Sequence, residues 1–509
     1  LDVNNQNISD LTGIEDFTSL QVFDCQNNQI SSIDLSNNSS LTNITIGYNP
    51  PLFQLDLRNG NNINITNLNV YTGGILRCIS VDDENWSNSN WTNNNNFYLN
   101  CVKFSNNCFQ KVYVPDDDFE AFLETRALTL GIQPHLSNNS YCAGVGFFSS
   151  ETVSVGDSNS LGDGIADNDS VYLGNLIAIE ALSPSVGINF EGIQFMKNLK
   201  YFKYNVSPKT NFTSVDFSQN DSLEIIIITE SHLTDINLPI NSNLEYVDLR
   251  NNHISNLDLT NQTKLTYLDI SEQSELSSQN NTTRILNQLD VSNSPLITTL
   301  KCNDNNLSTL NLSSNTNIEN LYCQENELAS LNLSAFSNLK HLECNGNNLT
   351  SLSVSNSPLL NYLVCSENQL SSISLTGNSK IETLFCGSNT INSLDLTGLD
   401  SLRYLDCQSN GMTNLNVSTN PDLLELQCGY NNLSQINLSN NLNLDWIHID
   451  QNPNLTFLDL SSNVNLTRAS FQGNWNSDVD QLSCVDLRNG NNSNISLSAT
   501  SNNNLYCIS

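Results

Sequence analysis

Basic residues are scarce in this sequence. Its 509 residues include 18 Lys and Arg against 52 Asp and Glu, which gives a net charge of −34. Phosphate binding needs clustered Lys and Arg, so the deficit excludes nucleic acid as a partner and disfavours anionic lipid. Long apolar runs are also missing, because no stretch approaches the roughly 18 apolar residues of a membrane-spanning helix. We therefore expect no direct insertion into a membrane.

The familiar catalytic patterns are missing as well. None of the five His residues belongs to H-E-x-x-H, and neither G-x-S-x-G nor a phosphate-binding loop occurs. C-x-x-C is also absent, which leaves a zinc or redox site without support. The acidic residues are scattered over repeat positions, where a solvated surface is the ordinary explanation. We predict that the protein is not an enzyme.

Asparagine is abundant, with 88 of 509 residues, and such a bias can mark a disordered tract. A fixed period argues against disorder here. Seven cysteines and eight asparagines each recur every 21 residues, and an asparagine follows each of these cysteines by three residues. The cysteines are Cys302, Cys323, Cys344, Cys365, Cys386, Cys407 and Cys428, and the asparagines are Asn305, Asn326, Asn347, Asn368, Asn389, Asn410, Asn431 and Asn452.

One unit, residues 339–359, reads LKHLECNGNNLTSLSVSNSPL. A period of about 20 to 29 residues with L-x-x-L-x-L-x-x-N/C-x-L is the signature of the leucine-rich repeat. The x-L-x-C part predicts a short strand with Leu and Cys pointing inward, and the asparagine amide can satisfy the backbone of a buried turn. We predict a leucine-rich repeat solenoid with a concave parallel sheet, short second strands or turns opposite, little helix, and capped tandem domains.

Atypical segments divide the chain into two repeat blocks. LDLRNG…LRCIS at 55–80 and VDLRNG…LYCIS at 485–509 are copies of one element. Solenoid ends expose their core, so atypical units there indicate caps. The predicted parts are the end of a first repeat domain (1–57), its C-terminal cap (58–109), a linker with an N-terminal cap (110–198), a second solenoid (199–484) and the start of a second cap (485–509). The sequence thus looks like a window from a longer polypeptide.

The N-terminal cap is predicted to contain a helix over about 116–130. Pro115 and three Asp precede Phe119, Phe122, Leu123 and Leu130, which would share one helical face. Gly131 can end the helix. This amphipathic helix would cover the open end of the second solenoid.

The cap motifs and the repeat together resemble Asn-rich leucine-rich repeat proteins of Bacteroidota, especially of flavobacteria. The resemblance rests on VPDDDFEAFLE (114–124), LTGIEDF (11–17), the 21-residue Cys/Asn unit and the LRCISVDD–NW–C cap. It implies an exported protein, extracellular or on the outer cell surface, commonly delivered by type IX secretion.

The 14 cysteines fall into two kinds. Seven share one inward row, where parallel side chains need not reach the dihedral of a disulfide, and their odd number would leave one unpaired. We predict buried free thiols for these seven. The irregular cysteines are bridge candidates, with Cys78–Cys101 and Cys108–Cys142 as the expected pairs. Cys507 aligns with Cys78, so its expected partner is a cysteine beyond residue 509, and Cys484 is the alternative.

One segment has the composition of a calcium loop. Residues 156–169 place Asp157, Asn159, Asp163, Asp167 and Asp169 among glycine turns, and calcium prefers six to eight oxygen ligands. The segment resembles thrombospondin-type and EF-hand loops, although a leucine replaces one of their acids. The alternative is a polar cap loop without metal. No other cofactor is expected.

Aromatic and histidine side chains recur at outward positions of the predicted concave strands. The set is Tyr246, Tyr267, Tyr322, His341, Tyr362, Phe385, Tyr404, Trp446 and His448. Such rings beside carboxylates and amides suit the binding of a protein or a sugar. The alternative is that aromatic residues simply favour exposed strand positions.

These features predict an extracellular protein that mediates adhesion or recognition of a protein or glycan through its concave face. The alternative function is structural, a stalk or fibre of tandem blocks in which further copies are the partners and no specific ligand exists. A weaker alternative is an accessory protein that presents glycan to an enzyme.

Overall fold

The structure is a computed structural model that describes residues 1–70, 76–91, 97–98, 102–114, 117–124, 129–132, 140–145, 170–184, 190–205, 212–275, 283–473, 481–491 and 495–509. It is a parallel β-solenoid of about 19 turns with little helix, as the repeat predicts. Contacts divide the chain into unit 1, Leu1–Leu244, and unit 2, Glu245–Ser509.

Unit 1 begins with coils whose strands alternate between two parallel sheets. One sheet contains β1 (Val22–Asp24), β3 (Asn43–Thr45), β5 (Asn67–Asn69) and β7 (Phe97–Tyr98). The other contains β2 (Ser32–Asp34), β4 (Gln54–Asp56), β6 (Cys78–Ser80) and β8 (Lys103–Ser105). Helix α1 (Glu84–Asn90) and the short 3₁₀ helices Ile14–Asp16 and Asn62–Asn64 complete this part.

The remainder of unit 1 starts a new parallel sheet. β9 (Lys111–Tyr113) pairs antiparallel with β12 (Ser170–Tyr172), and β10 (Thr129–Ile132) pairs antiparallel with β11 (Ser140–Val145). From β11, parallel pairing continues through β13 (Ala181–Leu182), β14 (Tyr201–Tyr204) and β16 (Ile225–Ile228). The other elements are α2 (Asp117–Glu124), α3 (Leu173–Ile177), a 3₁₀ helix (Ile193–Phe195) and the parallel pair β15 (Ser214–Asp216) and β17 (Asp235–Asn237).

The cap helix α2 is shorter than predicted. Phe119, Phe122 and Leu123 are buried, as the pattern indicates, but the helix ends at Glu124. Leu130 lies in β10 rather than on the helical face, so the prediction of a helix to about residue 130 was wrong. Pairing with β11 stabilises an extended backbone there, and apolar spacing alone does not separate the two states.

The cap disulfide of unit 1 also differs from the prediction. Cys78 is bonded to Cys108, with their Cα atoms 5.8 Å apart, so the pairings Cys78–Cys101 and Cys108–Cys142 were wrong. β8 pairs with β6 and ends at Ser105, and the turn that follows returns Cys108 to Cys78. Cys101 lies outside the described residues, as does the side chain of Cys142.

Unit 2 is organised around a long parallel sheet. Its strands are β18 (Tyr246–Asp248), β19 (Tyr267–Asp269), β20 (Thr299–Lys301), β21 (Asn320–Tyr322), β22 (His341–Glu343), β24 (Tyr362–Val364), β26 (Thr383–Phe385), β27 (Tyr404–Asp406), β28 (Glu425–Gln427), β29 (Trp446–His448), β31 (Arg468–Ser470) and β33 (Ser496–Ser498). Short strands form two further sheets, β23 (Leu352–Ser353) with β25 (Ile373–Ser374), and β30 (Phe457–Asp459), β32 (Cys484–Asp486) and β34 (Cys507–Ile508).

The core of the regular coils contains the predicted cysteine row. The seven cysteines from Cys302 to Cys428 are buried and unpaired. Burial raises the pKa of every one of these thiols, to about 12 for Cys323. They therefore pack as small apolar side chains. Near the other end of the chain, Cys507 is bonded to Cys484, so the expected partner beyond residue 509 was wrong and the alternative is confirmed.

The asparagine row connects each coil to the one before it. Asn326 Nδ2 donates to the carbonyl of Cys302 in the preceding coil (2.9 Å) and to the carbonyl of Cys323 in its own (3.3 Å). Asn326 Oδ1 accepts from the Leu307 amide of the preceding coil at 2.9 Å. The pattern recurs to Asn452, and seven of the eight asparagines are buried while Asn368 is half-buried.

A second asparagine row was not predicted. Asn378 Nδ2 donates to the carbonyls of Val354 (3.0 Å) and Ser357 (2.7 Å), and its side chain is fully buried. Asn420 makes the same two bonds to Leu396 and Leu399. The other members are Asn315, Asn441 and Asn463. These side chains fix the turns opposite the long sheet and support the fold.

Candidate functional site

All nine candidate ligand-binding side chains lie on the outer face of the long sheet in unit 2. Strand residues alternate between the two faces of a sheet, so the central residue of each three-residue strand is buried and its two neighbours point outward. Each of the nine occupies one of these outward positions and is half-buried. We call them the aromatic strip: Tyr246, Tyr267, Tyr322, His341, Tyr362, Phe385, Tyr404, Trp446 and His448.

The strip contains two stacks of rings. Tyr246 and Tyr267 lie 4.1 Å apart with 5° between their planes. His341 lies 4.3 Å from Tyr362 with 6° between planes and 4.7 Å from Tyr322. The rings of Tyr246 and Tyr267 therefore cover each other's faces, as do those of His341 and Tyr362, whereas the Tyr322 ring is tilted by 33° to His341. The stacked rings present mainly their edges and polar tips to solvent.

Lys301 connects the two stacks, and the sequence did not reveal its part. Its Nζ lies 5.7 Å from the ring centre of Tyr267 and 5.3 Å from that of Tyr322. The same ammonium is 3.7 Å from the carboxylate of Asp269, which is almost fully buried. A cation between two tyrosine faces is attracted by both rings. The signal in the sequence was a basic residue at an outward position between the coils of Tyr267 and Tyr322.

Burial and like charge act on the acids beneath the first stack. Burial raises the pKa of Asp248, and the neighbouring carboxylate of Asp269 raises it further. Arg250 Nε lies 3.8 Å from Asp248 and opposes that rise. Burial also raises the pKa of the Tyr246 and Tyr267 hydroxyls. These tyrosines remain neutral donors at physiological pH.

The far end of the strip combines an indole, an imidazole and their charged neighbours. The guanidinium of Arg468 lies 4.7 Å from the ring centre of Trp446 and covers one of its faces. His448 Nε2 is 3.0 Å from Asp450 Oδ2. Burial raises the pKa of Asp450, but hydrogen bonds from His448, Ser470 and Gln472 outweigh it and hold that pKa below its usual range. Asp450 is therefore an ionised carboxylate whose hydrogen-bond donors come from the protein itself.

The calcium prediction concerns a part of the chain that the structure does not describe. Asp157, Asn159, Asp163, Asp167 and Asp169 all lie outside the described residues. Within the described ranges, no three His, Cys, Asp or Glu side chains gather in a way that could hold a metal ion. No helix in those ranges is long and apolar enough to cross a membrane.

Comparison with solved structures identifies the fold. The functional domain of InlJ from Listeria monocytogenes, which includes a cysteine ladder, matches with a TM-score of 0.51 and 27% identity, over 67% of this chain and 67% of that one. A leucine-rich repeat protein of Leptospira interrogans matches with a TM-score of 0.51 and 20% identity, over 66% of this chain and 86% of the other. No protein-family model and no curated protein matches the sequence. The chain therefore has the leucine-rich repeat fold, and its buried cysteine row has a counterpart in the cysteine ladder of InlJ.

Proposed function

We propose that this protein is a recognition module that binds a protein partner through the aromatic strip. The observation that carries the proposal is the row of half-buried rings that spans coil after coil on one sheet face. Aromatic side chains held in place by stacking lose little conformational freedom on binding and supply both apolar area and hydrogen-bonding tips. The leucine-rich repeat fold is a scaffold suited to such contacts, and we assign the protein no catalytic activity.

The geometry of the rings favours a protein over a glycan. A sugar packs its C–H face against an open aromatic face. In the stacks, Tyr246 and Tyr267 cover each other, and His341 lies between Tyr322 and Tyr362. Tyrosine hydroxyls and ring edges remain available, and these match the mixed apolar and polar surface of a protein. A glycan ligand is the alternative, to be tested directly.

We infer that the protein works outside the cell, on the outer surface or in the medium, as an adhesion or recognition protein. Two observations support this. The disulfides Cys78–Cys108 and Cys484–Cys507 belong to an oxidising compartment. The cap and repeat motifs resemble exported leucine-rich repeat proteins of Bacteroidota, for which type IX secretion is the expected route.

The test is a triple variant of the strip in the full chain, with Tyr362, Phe385 and Tyr404 replaced by Ser. These side chains project from the sheet, so their loss opens no core cavity, and central aromatic residues can each be worth about 2 kcal/mol or more in an interface. We expect binding to surface proteins of candidate partner cells to be lost while the melting temperature is kept.

The matched control replaces three exposed apolar side chains outside the long sheet, Phe457, Val464 and Tyr506, by Ser. Asn378 and Asn420, which lie opposite the long sheet, cannot serve as control positions because they are buried and hydrogen-bonded. Equal binding by the strip variant and the parent would contradict the proposal. Binding of the parent to a glycan array, lost in the strip variant, would contradict the assignment to a protein.

A structural stalk is the second candidate, and one feature of unit 1 favours it. The cap around Cys78 and Cys108 packs against Ile177 in α3, and Lys103 makes an ion pair with the buried Glu180. The end of the first block is thereby joined to the start of the following one. Further copies of the chain would be the partners in such an array. If the strip variant binds like the parent, this stalk becomes the better interpretation.

A further inference from the structure

Unit 1 contains a groove of about 650 Å³ between β15 and the segment that leads into the 3₁₀ helix Ile193–Phe195. A volume of this size lies within the range of about 300 to 1,000 Å³ that is usual for ligand sites. The lining combines buried apolar side chains with exposed polar ones. The buried lining residues include Phe190, Ile193 and Val215, and the exposed ones include Tyr113, Glu191 and Asp216.

The strand β15 uses only one of its two edges for pairing. Towards β17, the Thr213 carbonyl accepts a hydrogen bond at 3.1 Å and the Phe217 amide donates one at 2.8 Å. The amide and the carbonyl of one strand residue point to the same edge, and successive residues alternate between the edges. The backbone groups of Ser214 and Asp216 therefore point away from β17. Within the described part of the chain, none of these four groups makes a hydrogen bond.

The unpaired edge of β15 is the edge that borders the groove. All three residues of β15 line the groove, and none of the three residues of β17 does. The amides and carbonyls of Ser214 and Asp216 thus offer two donors and two acceptors to whatever occupies the groove. A row of this kind is a template for a further strand.

The coil before β15 explains why this edge is unpaired. It presents a 3₁₀ helix, which begins after Gly192 with a left-handed φ of 110°. Asn220 Nδ2 fixes this helix through bonds to the carbonyls of Ile193 (2.9 Å) and Met196 (3.0 Å). A 3₁₀ helix uses its backbone groups internally, here from the Met196 amide to the Ile193 carbonyl, so it does not extend the sheet.

We propose that this groove binds an extended peptide segment of a protein partner, which adds as a strand to the free edge of β15. Strand addition obtains affinity from main-chain hydrogen bonds and specificity from alternate side chains. The inference goes beyond the proposed function, because the groove lies in unit 1 and the aromatic strip lies in unit 2.

The side chains along β15 define the chemistry of the segment. Val215 is buried, so the side chain beside it on the added strand would face the apolar lining near Phe190 and Ile193. Ser214 and Asp216 are exposed on the other face. Opposite charges on neighbouring strands stabilise a sheet, so a basic residue fits beside Asp216. The groove therefore suits a segment that alternates basic and apolar residues.

The probe is a fluorescein-labelled Lys-Val-Lys-Val-Lys peptide with blocked ends, which reads the same in a parallel and in an antiparallel orientation. Its first counterpart is the fully N-methylated peptide, which keeps the charge and the side chains but cannot donate backbone hydrogen bonds. The second is Glu-Val-Glu-Val-Glu. Fluorescence anisotropy with the full chain measures binding. We expect only the first peptide to bind, whereas equal binding of the N-methylated peptide would overturn strand addition.

The variants test the edge itself. Ser214→Pro removes an amide that faces the groove and is tolerated at a strand edge, so the melting temperature should be kept and binding should weaken about tenfold. Ser214→Thr keeps the amide and is the matched control. Equal affinity of the two variants would contradict the site.

A second pair of variants tests the charge. Asp216→Asn should weaken binding of the lysine peptide about threefold, as the loss of an exposed ion pair would. Asp235→Asn removes the same charge from an exposed position of β17, on the far side of β15, and should bind like the parent. Equal weakening by both would show general attraction to the acidic protein and overturn the assignment of a basic residue to this position.

Amide hydrogen exchange of the parent keeps the test independent of any variant. Exchange over residues 214–216 should slow when the lysine peptide is bound, because the added strand protects the free amides. Binding without this protection would overturn the proposal. The triple variant of the aromatic strip should bind the lysine peptide like the parent, and loss of binding in that variant would place the peptide on the strip instead.

Discussion

The regular coils of unit 2 and the cap elements both carry cysteines in neighbouring parallel strands or directly after them, yet their chemistry differs. The seven ladder cysteines are fully buried free thiols, whereas Cys78–Cys108 and Cys484–Cys507 are disulfides. Exchange needs a thiolate, and burial raises the pKa of the ladder thiols far above neutrality. Cys484 and Cys507 are only half-buried. Burial alone does not separate the two kinds, because the bonded Cys78 and Cys108 are buried as well. What separates them is their place, since the disulfides lie in the irregular elements and the free thiols in the regular coils.

The two copies of the cap element show how one residue changes the pairing. Cys507 in β34 is the strand partner of Cys484 in β32. In the first copy, β6 pairs with β4 so that Ile79 lies opposite Leu55, which places Gln54 beside Cys78. Cys78 thus has no cysteine in the equivalent position and bonds instead to Cys108. The partner follows from the residue at the first position of the adjacent strand.

The largest expected effect is alkaline destabilisation of the ladder coils. Burial raises the folded pKa of these thiols above the value near 9 expected in the unfolded chain, so the unfolded chain loses its protons first. The contribution of these thiols to the free energy of unfolding is fully present below pH 9. It falls as the pH rises toward the pKa in the folded protein, which is about 12 for Cys323. Each thiol lowers the free energy of unfolding by about 1.4 kcal/mol for every pH unit above 9. For the seven thiols together, the loss is roughly 10 kcal/mol per pH unit.

The measurement is the free energy of unfolding in urea between pH 8 and pH 10. Cys365→Ala serves as the control. The described residues hold eight buried free thiols, the seven of the row and Cys25, so removing one should reduce the slope by about one eighth. The disulfide-bonded cysteines contribute nothing to this slope. A slope unchanged by Cys365→Ala would contradict the assignment of the alkaline effect to the ladder.

Removing the second cap disulfide should have the next largest effect. Cys484→Ser with Cys507→Ser opens a bridge with a sequence separation of 23 residues, and a loop of this size implies a loss of about 3 kcal/mol. Native-state proteolysis should show the loss near β32 and β34. Cys428→Ser, a ladder site without a bridge, is the comparison, and equal local protection in the double Ser variant and the parent would count against a stabilising cap bridge.

In the regular coils, the asparagine row takes the place of covalent bridges. Asn368→Ala removes bonds to the carbonyls of Cys344 and Cys365 and the acceptor for the Leu349 amide. We expect a loss of about 1–3 kcal/mol, seen as a lower denaturation midpoint. Asn356→Ala, at an exposed asparagine with one surface bond, should change stability little. An unchanged midpoint for Asn368→Ala would contradict a stabilising role of the asparagine row.

The smallest energetic effect, and the sharpest test of the two copies, is expected from Gln54→Cys. It gives the first cap the cysteine that the second has at Cys484. We expect the new thiol to compete with Cys108 for Cys78, with a stability change under about 1 kcal/mol, because one bridge replaces another. Peptide mapping without reduction measures the pairing. Exclusive retention of Cys78–Cys108 would show that strand position does not choose the partner.

The sequence predicted the coil well, because the cysteine row and the asparagine row repeat with one period and each consensus residue has one structural role. Long-range contacts were harder. Leu130 fits a helical face by spacing, but it lies in β10, and the pairing of β10 with β11 makes this segment a strand. The pairing of Cys78 depends on a turn after β8 that carries no sequence signal. The row of Asn378 did not stand out in the sequence, because Phe336, Ser357 and Leu399 interrupt it.

The strip was predictable residue by residue, but its geometry was not. Alternation placed Tyr246 and Tyr362 on the outer face, yet nothing in the spacing tells that their rings stack with edges outward. Backbone strain was also hidden. The residue before each asparagine of the asparagine row has a left-handed φ in successive coils, 55° at Asp304 and 56° at Glu325. In this series the residue is a glycine only at Gly346. Composition alone does not report such a position.

The asparagine row has a direction along the chain. Asn326 serves the carbonyl of Cys302 and the amide of Leu307, both in the preceding coil, and Asn347 does the same for Cys323 and Leu328. The backbone groups of each turn are therefore hydrogen-bonded by the asparagine of the next coil. Under mechanical load or transient opening, a coil that detaches at the C-terminal side exposes the amide of the coil before it. The solenoid should fray in that order, with amide hydrogen exchange advancing from Leu433 toward Leu307.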